Sequence, residues 1–66
     1  MRIEINGEVQ EVDAELRLGT LVDQRAPARR GVAVAVDGEV VPRRDWDATT
    51  LHDGARVEIV GAVQGG

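Results

Sequence analysis

Four residues near the start of the chain limit its folding choices more than any others. Ile3 and Ile5 alternate with Arg2 and Glu4, and the run ends directly on Asn6-Gly7. A period of two describes a strand with one face buried. Asn and Gly both accept positive φ, so the pair predicts a two-residue turn that folds the strand back on itself. The return strand is expected over Glu8 to about Asp13. Its apolar residues Val9 and Val12 are three apart, which predicts a bulge or an early strand end.

Leu16, Leu18, Leu21 and Val22 then follow helical spacing, and a short helix is predicted from about Leu18 to Ala26, stopped by Pro27. Gly19 inside it costs about 1 kcal/mol relative to alanine. Val32 to Val36 places valine on every second position with alanine between, a pattern read as a strand with both faces covered. Asp37-Gly38 is a second hairpin signal, followed by a short strand Glu39 to Val41 that Pro42 ends. A helical turn is expected around Trp46, a turn at His52-Asp53-Gly54, and a last strand from Arg56 to about Val60 with Val57 and Ile59 inward. Residues 1–60 therefore form the domain, and 61–66 a flexible tail ending in Gly65-Gly66.

In so short a chain, 66 residues, a hairpin, one helix and a second strand group must form two layers. The first and last strands are the natural central neighbours. They would run parallel, because the helix returns the chain between them. The expected class is α+β, a β-grasp (ubiquitin-like) architecture with a mixed sheet of four to five strands and one helix packed on one face.

Composition narrows the chemistry. The chain has a net charge of -4, eight arginines and no lysine, and it lacks Cys, Ser, Phe and Tyr. Without cysteine there is no disulfide, thiolate metal site or redox motif. The acidic balance opposes nucleic-acid binding, which needs clustered positive charge. No apolar run approaches a membrane span and no signal peptide opens the chain, so the cytoplasm is the expected location. Thr49 and Thr50 lie near the sole imidazole, His52, and with Thr20 they are read as polar loop residues rather than a nucleophile and its base. No ligand pair has metal-binding spacing, and no phosphate-cradling glycine motif occurs, so neither a metal site nor a bound cofactor is expected. Trp46 is read as a lid on the core whose indole N–H finds a carbonyl. Arg43 and Arg44 are read as solvated. The chain is not expected to be an enzyme.

The remaining candidate is the carboxylate at Gly66. Gly61 to Gly66, fully extended, reach roughly 20 Å from the domain. Two residues without Cβ can thread a narrow channel in whatever conformation a partner imposes. Such a carboxylate must be activated by a partner, for example as an acyl-adenylate made from ATP.

Taken together, the sequence resembles the ThiS family of sulfur carrier proteins of thiamine biosynthesis. The resemblance covers essentially the whole chain. It is carried by Ile3-x-Ile5-Asn6-Gly7, by Val34-Ala35-Val36-Asp37-Gly38 and by Val41-Pro42-Arg43-x-x-Trp46. It continues through Leu51-x-Asp53-Gly54-x-x-Val57-Glu58-Ile59-Val60 and ends on Val63-Gln64-Gly65-Gly66. Asp37 and Ala55 stand where relatives often carry Asn and Asp. The resemblance implies a cycle on Gly66. A ubiquitin-activating-like adenylyltransferase uses ATP and Mg²⁺ to form the acyl-adenylate. Sulfur from a cysteine-derived persulfide displaces AMP to leave a thiocarboxylate, which thiazole synthase consumes. Ala33, Ala35, Val60 and Ala62 are expected to form an apolar docking patch leading into Val63, Gln64, Gly65 and Gly66. The alternatives are a carrier for molybdopterin or cysteine synthesis, or a non-covalent β-grasp interaction module.

Overall fold

The structure is a computed structural model describing residues 1–61; Ala62, Val63, Gln64, Gly65 and Gly66 of the expected site lie outside the described residues. In chain order the elements are β1 (Arg2–Ile5), β2 (Glu8–Glu11), α1 (Leu18–Arg25), β3 (Val32–Val36), β4 (Glu39–Val40), a 3₁₀ helix (Arg43–Ala48) and β5 (Arg56–Gly61). They form one five-stranded sheet in the order β2-β1-β5-β3-β4, a β-grasp with α1 on one face. The central β1 and β5 are parallel; the other neighbours are antiparallel. No helix among the described residues is long and apolar enough to cross a membrane.

Both two-residue turns take the conformation their sequences predict. Asn6 and Gly7 have φ of 50° and 87°, and Asp37 and Gly38 have 52° and 86°. Successive positive φ values give the turn whose twist matches that of the flanking strands. The first turn sets Ile5 opposite Glu8 and Arg2 opposite Glu11 without a bulge. The unequal spacing of Val9 and Val12 is resolved by an early strand end. Val12 packs against the core, whereas Val9 falls on the other face and is exposed. The extra valine is an outward residue, not a register shift.

Helix α1 begins at Leu18 without a side-chain cap; the Leu18 N–H instead donates to the Thr49 carbonyl at 3.0 Å. This satisfies one of the donors that a helix start leaves open. Gly19 sits where a Cβ would collide with Asp47 Oδ1 and the Arg29 guanidinium, so its cost in helix propensity coincides with a close tertiary contact. Leu18, Leu21 and Val22 meet Ile3, Ile5, Val34 and Val57 from the sheet. Val34 is buried while Ala33 is exposed and Ala35 half-buried, so β3 is covered on one face only, contrary to its sequence pattern. Strand β5 includes Gly61, paired with Val32, and therefore runs one residue beyond the expected end at Val60.

Trp46 closes one end of the core. It is 1% exposed, and its Nε1–H donates to the Val41 carbonyl at 2.8 Å. The Arg29 guanidinium lies 5.6 Å from the ring centroid, within cation–π range. Replacing Trp46 by alanine empties the largest buried volume in the domain and orphans the Val41 carbonyl. The expected loss is about 3–5 kcal/mol, read as a lowered urea midpoint.

Candidate functional site: the open sheet face and the last strand

The face of the sheet away from α1 carries the alternate residues of each strand. At the β3-β4-β5 end these are mostly apolar, Glu58 excepted. Ala33 pairs with Val60, and Ala35 lies between Val40 and Glu58. Val60 is 61% exposed and Val40 76% exposed. Towards β1 and β2 the same face becomes charged, with Glu4 opposite Arg56 in register and 3.8 Å from its Nε. Val9 lies beyond that pair, beside Glu4. Of the residues expected in a docking patch, Ala33, Ala35 and Val60 share this face. Val40, which the sequence reading omitted, joins them on this face because the Asp37-Gly38 turn sets it opposite Ala35. Val60-Gly61 is the end of β5 that leads into the tail.

Asn6 holds that strand in place. Its Oδ1 accepts the Ile59 N–H at 2.8 Å and its Nδ2 donates to the Ile59 carbonyl at 3.1 Å. The Asn6 backbone N–H donates to Val57 O at 2.9 Å. The side-chain amide therefore adds one more rung to the parallel β1–β5 ladder after the β1 backbone has turned away. Nothing in the period-two pattern of β1 marks this second role.

Arg29 is the other residue without a sequence signal. At φ 55° it points its guanidinium to Asp23 Oδ1 (2.6 Å), Asp47 Oδ1 (2.7 Å) and the Gly19 carbonyl (3.2 Å). Hydrogen bonds to Asp23 and then Asp47 raise its pKa further above its normal range, and Arg29 in turn lowers that of Asp47. This cluster ties α1 to the segment after it and to the 3₁₀ helix. No reactive group takes part.

His52 lies at the opposite end of β5 from Gly61. Its Nε2 is 2.7 Å from Asp37 Oδ2 and its Nδ1 2.8 Å from the Asp53 carbonyl oxygen. Thr49 Oγ1 donates to the Asp45 carbonyl at 2.6 Å, so histidine and threonine are engaged elsewhere and form no nucleophile–base pair. The hydrogen bond to Asp37, then that to the Asp53 carbonyl, raises the His52 pKa above 6.5. The hydrogen bond from His52, then the Arg56 backbone N–H, lowers Asp37 below 3.8. The histidine contribution to stability is complete below pH 6.5 and is lost as pH rises through the raised folded value. The Asp37 contribution is lost as pH falls through its lowered value. Both side chains are substantially exposed, so solvent screens the pair. His52→Asn is accordingly expected to lower the melting temperature at pH 5 and to have less effect at pH 9; an equal loss at both would contradict the assignment.

No cavity opens among the described residues, and they hold no group of three or more His, Cys, Asp or Glu able to bind a metal ion. What the geometry presents is a small two-layer β-grasp domain with a half-apolar open face and a clamped last strand. Residues 3–66 match the ThiS family, and the chain belongs to it. It is similar to the thiamine biosynthesis protein ThiS of Geobacter metallireducens, solved by crystallography. Identity is 33%, the TM-score is 0.82, and the whole of both chains is covered. An NMR structure of a thiamine biosynthesis protein from that organism aligns with TM-score 0.79 and 35% identity, over all of this chain and 88% of the other. A thiazole synthase of Paramagnetospirillum magneticum is 32% identical over 66 residues; the chain spans 20% of that relative's length.

Proposed function

We propose that the chain is a sulfur carrier of thiamine biosynthesis, a protein co-substrate whose reactive group is the Gly66 carboxylate. The observation that carries this reading is a family match running through residue 66, on a fold whose last strand leads towards Gly65-Gly66. Among the described residues His52 faces Asp37 and Asp53, and the Thr49 hydroxyl donates to the Asp45 carbonyl.

In the proposed cycle an adenylyltransferase of the ubiquitin-activating type binds ATP and Mg²⁺. The Gly66 carboxylate oxygen attacks the α-phosphorus and pyrophosphate leaves. The outer sulfur of a partner's cysteine persulfide then attacks the acyl carbon and AMP departs. A thiol cleaves the remaining S–S bond, leaving a thiocarboxylate. Thiazole synthase takes that sulfur and the carboxylate is regenerated. Thiazole synthase is favoured as the acceptor because a segment similar to this chain makes up a fifth of a protein bearing that name. Ala33, Ala35, Val40 and Val60 are proposed as the surface read by the partners, which then engage the chain that follows Gly61.

Incubation with ATP, Mg²⁺, the adenylyltransferase, a persulfide donor and a reducing thiol should convert the chain to a species about 16 Da heavier, sulfur having replaced oxygen. Deleting Gly66 should abolish it. A chain that stays unmodified with this set, but gains sulfur with the activating enzyme of another carrier pathway, would reassign the pathway. Ala35→Arg places a charge within the apolar end of the open face. It should slow adenylation at least about tenfold, equivalent to about 1.4 kcal/mol, with the urea midpoint unchanged.

A further inference from the structure

The acidic strand residues of the open face are matched with arginines, Glu58 excepted. Arg56 Nε lies 3.8 Å from Glu4 Oε2, and Arg2 Nε lies 3.6 Å from Glu11 Oε1. Glu58 is exposed on the same face, in register with Ala35 and one alternate position before Val60. Among the described residues no Arg, His or terminal amine forms an ion pair with its carboxylate. Arg56, the preceding residue of β5 on this face, is turned to Glu4 instead. The sequence after Gly61 contains no Arg, Lys or His that could supply the missing charge. We propose that Glu58 selects the partner of this face: the adenylyltransferase sets a cationic side chain on its carboxylate while an apolar group covers Ala33, Ala35, Val40 and Val60. This inference rests on the reading of the chain as a sulfur carrier.

The physical argument starts from hydration. An exposed carboxylate is solvated by water and needs no counterion. A surface laid across Ala35 and Val60 removes water from the carboxylate between them. Stripped of water and left unpaired, that charge weakens the complex; met by a cation, it steers the approach and fixes the register of docking. A merely apolar surface is therefore rejected, and the unpaired charge acts against wrong partners. The carboxylate also stands on a fixed strand. Glu58 pairs with Ala35 in β3, and the next residue, Ile59, is held at both its N–H and its carbonyl by Asn6. Little ordering is left for the partner to impose.

The same residue disfavours a second copy as the occupant. Packing this face on itself would bury two such carboxylates, while Arg2 and Arg56 are engaged by Glu11 and Glu4. The net charge of -4 adds to the repulsion.

The test follows exchange of labelled pyrophosphate into ATP by the adenylyltransferase as the concentration of the carrier is varied. Glu58→Gln keeps the shape and removes the charge. It should raise KM for the carrier at least about tenfold at low salt and leave kcat within about twofold. Glu58→Asp, which restores the charge, should recover most of that loss. Glu39→Gln removes the same charge from the other face, because Glu39 pairs with Val36 and Val36 packs against the core. It should change KM less than about twofold. Raising salt from about 20 to about 300 mM should raise KM for the wild type and leave that of Glu58→Gln nearly level. Urea midpoints verify that each variant is folded.

An unchanged KM in Glu58→Gln would overturn the proposal. Equal effects of Glu58→Gln and Glu39→Gln would also overturn it, by making net charge the cause. The wild type should sediment as a monomer at about 0.1 mM; a dimer dispersed by Val60→Arg would give the face to a second copy instead. A wild-type chain that supports no exchange would remove the sulfur-carrier reading and the role of Glu58 with it. An active wild type with an equally active Glu58→Gln would remove the role of Glu58 alone.

Discussion

The pairing of β1 with β5 is the contact on which the other elements depend. Two parallel strands cannot be joined by a tight turn, so all the chain between Ile5 and Arg56 is in effect the connection between them. That connection supplies α1, which covers one face, and the β3–β4 hairpin, which pairs with the free edge of β5. Backbone bonds from Glu4 to Ala55 and from Asn6 to Val57 set the register, and the Asn6 amide on Ile59 extends it. With this register Ile3, Ile5 and Val57 face the helix, and Glu4, Arg56 and Glu58 face the other way.

The same alternation divides labour between the two faces. The helix side is closed by Trp46, with Arg29 bridging α1 and the 3₁₀ helix above it. The open side is left with small and β-branched residues near the end of β5 and charged ones near its start. The apolar part of that face lies beside Val60-Gly61, the end of β5 from which the chain continues to residue 66.

Much of this was readable from residue order. The two turn dipeptides, the valine alternation of β3 and the Pro42 stop located the strands, and the absence of reactive side chains directed attention to the carboxylate. What escaped was non-local. Arg29 gathers Asp23, Asp47 and Gly19, partners up to 18 residues away, from a segment that reads only as a connection. The open face of β3 reads as covered because alanine is apolar, yet its small side chains sit at the surface without a partner layer in this chain. Val40 became part of the patch only once the hairpin register was fixed. Which of Val9 and Val12 turns inward emerged only from the β1–β2 register and the end of β2 at Glu11.

Asn6 illustrates a further consequence. The residue satisfies two requirements that are usually met at separate positions: a backbone in the left-handed region, and a planar group with one donor and one acceptor for Ile59. Glycine satisfies only the first. Asn6→Asp would retain the turn and the bond from the Ile59 N–H, but would set a carboxylate oxygen against the Ile59 carbonyl. A single amide thus links local chain reversal to strand order, so sequence drift that a hairpin alone would tolerate is barred here by a strand more than fifty residues distant.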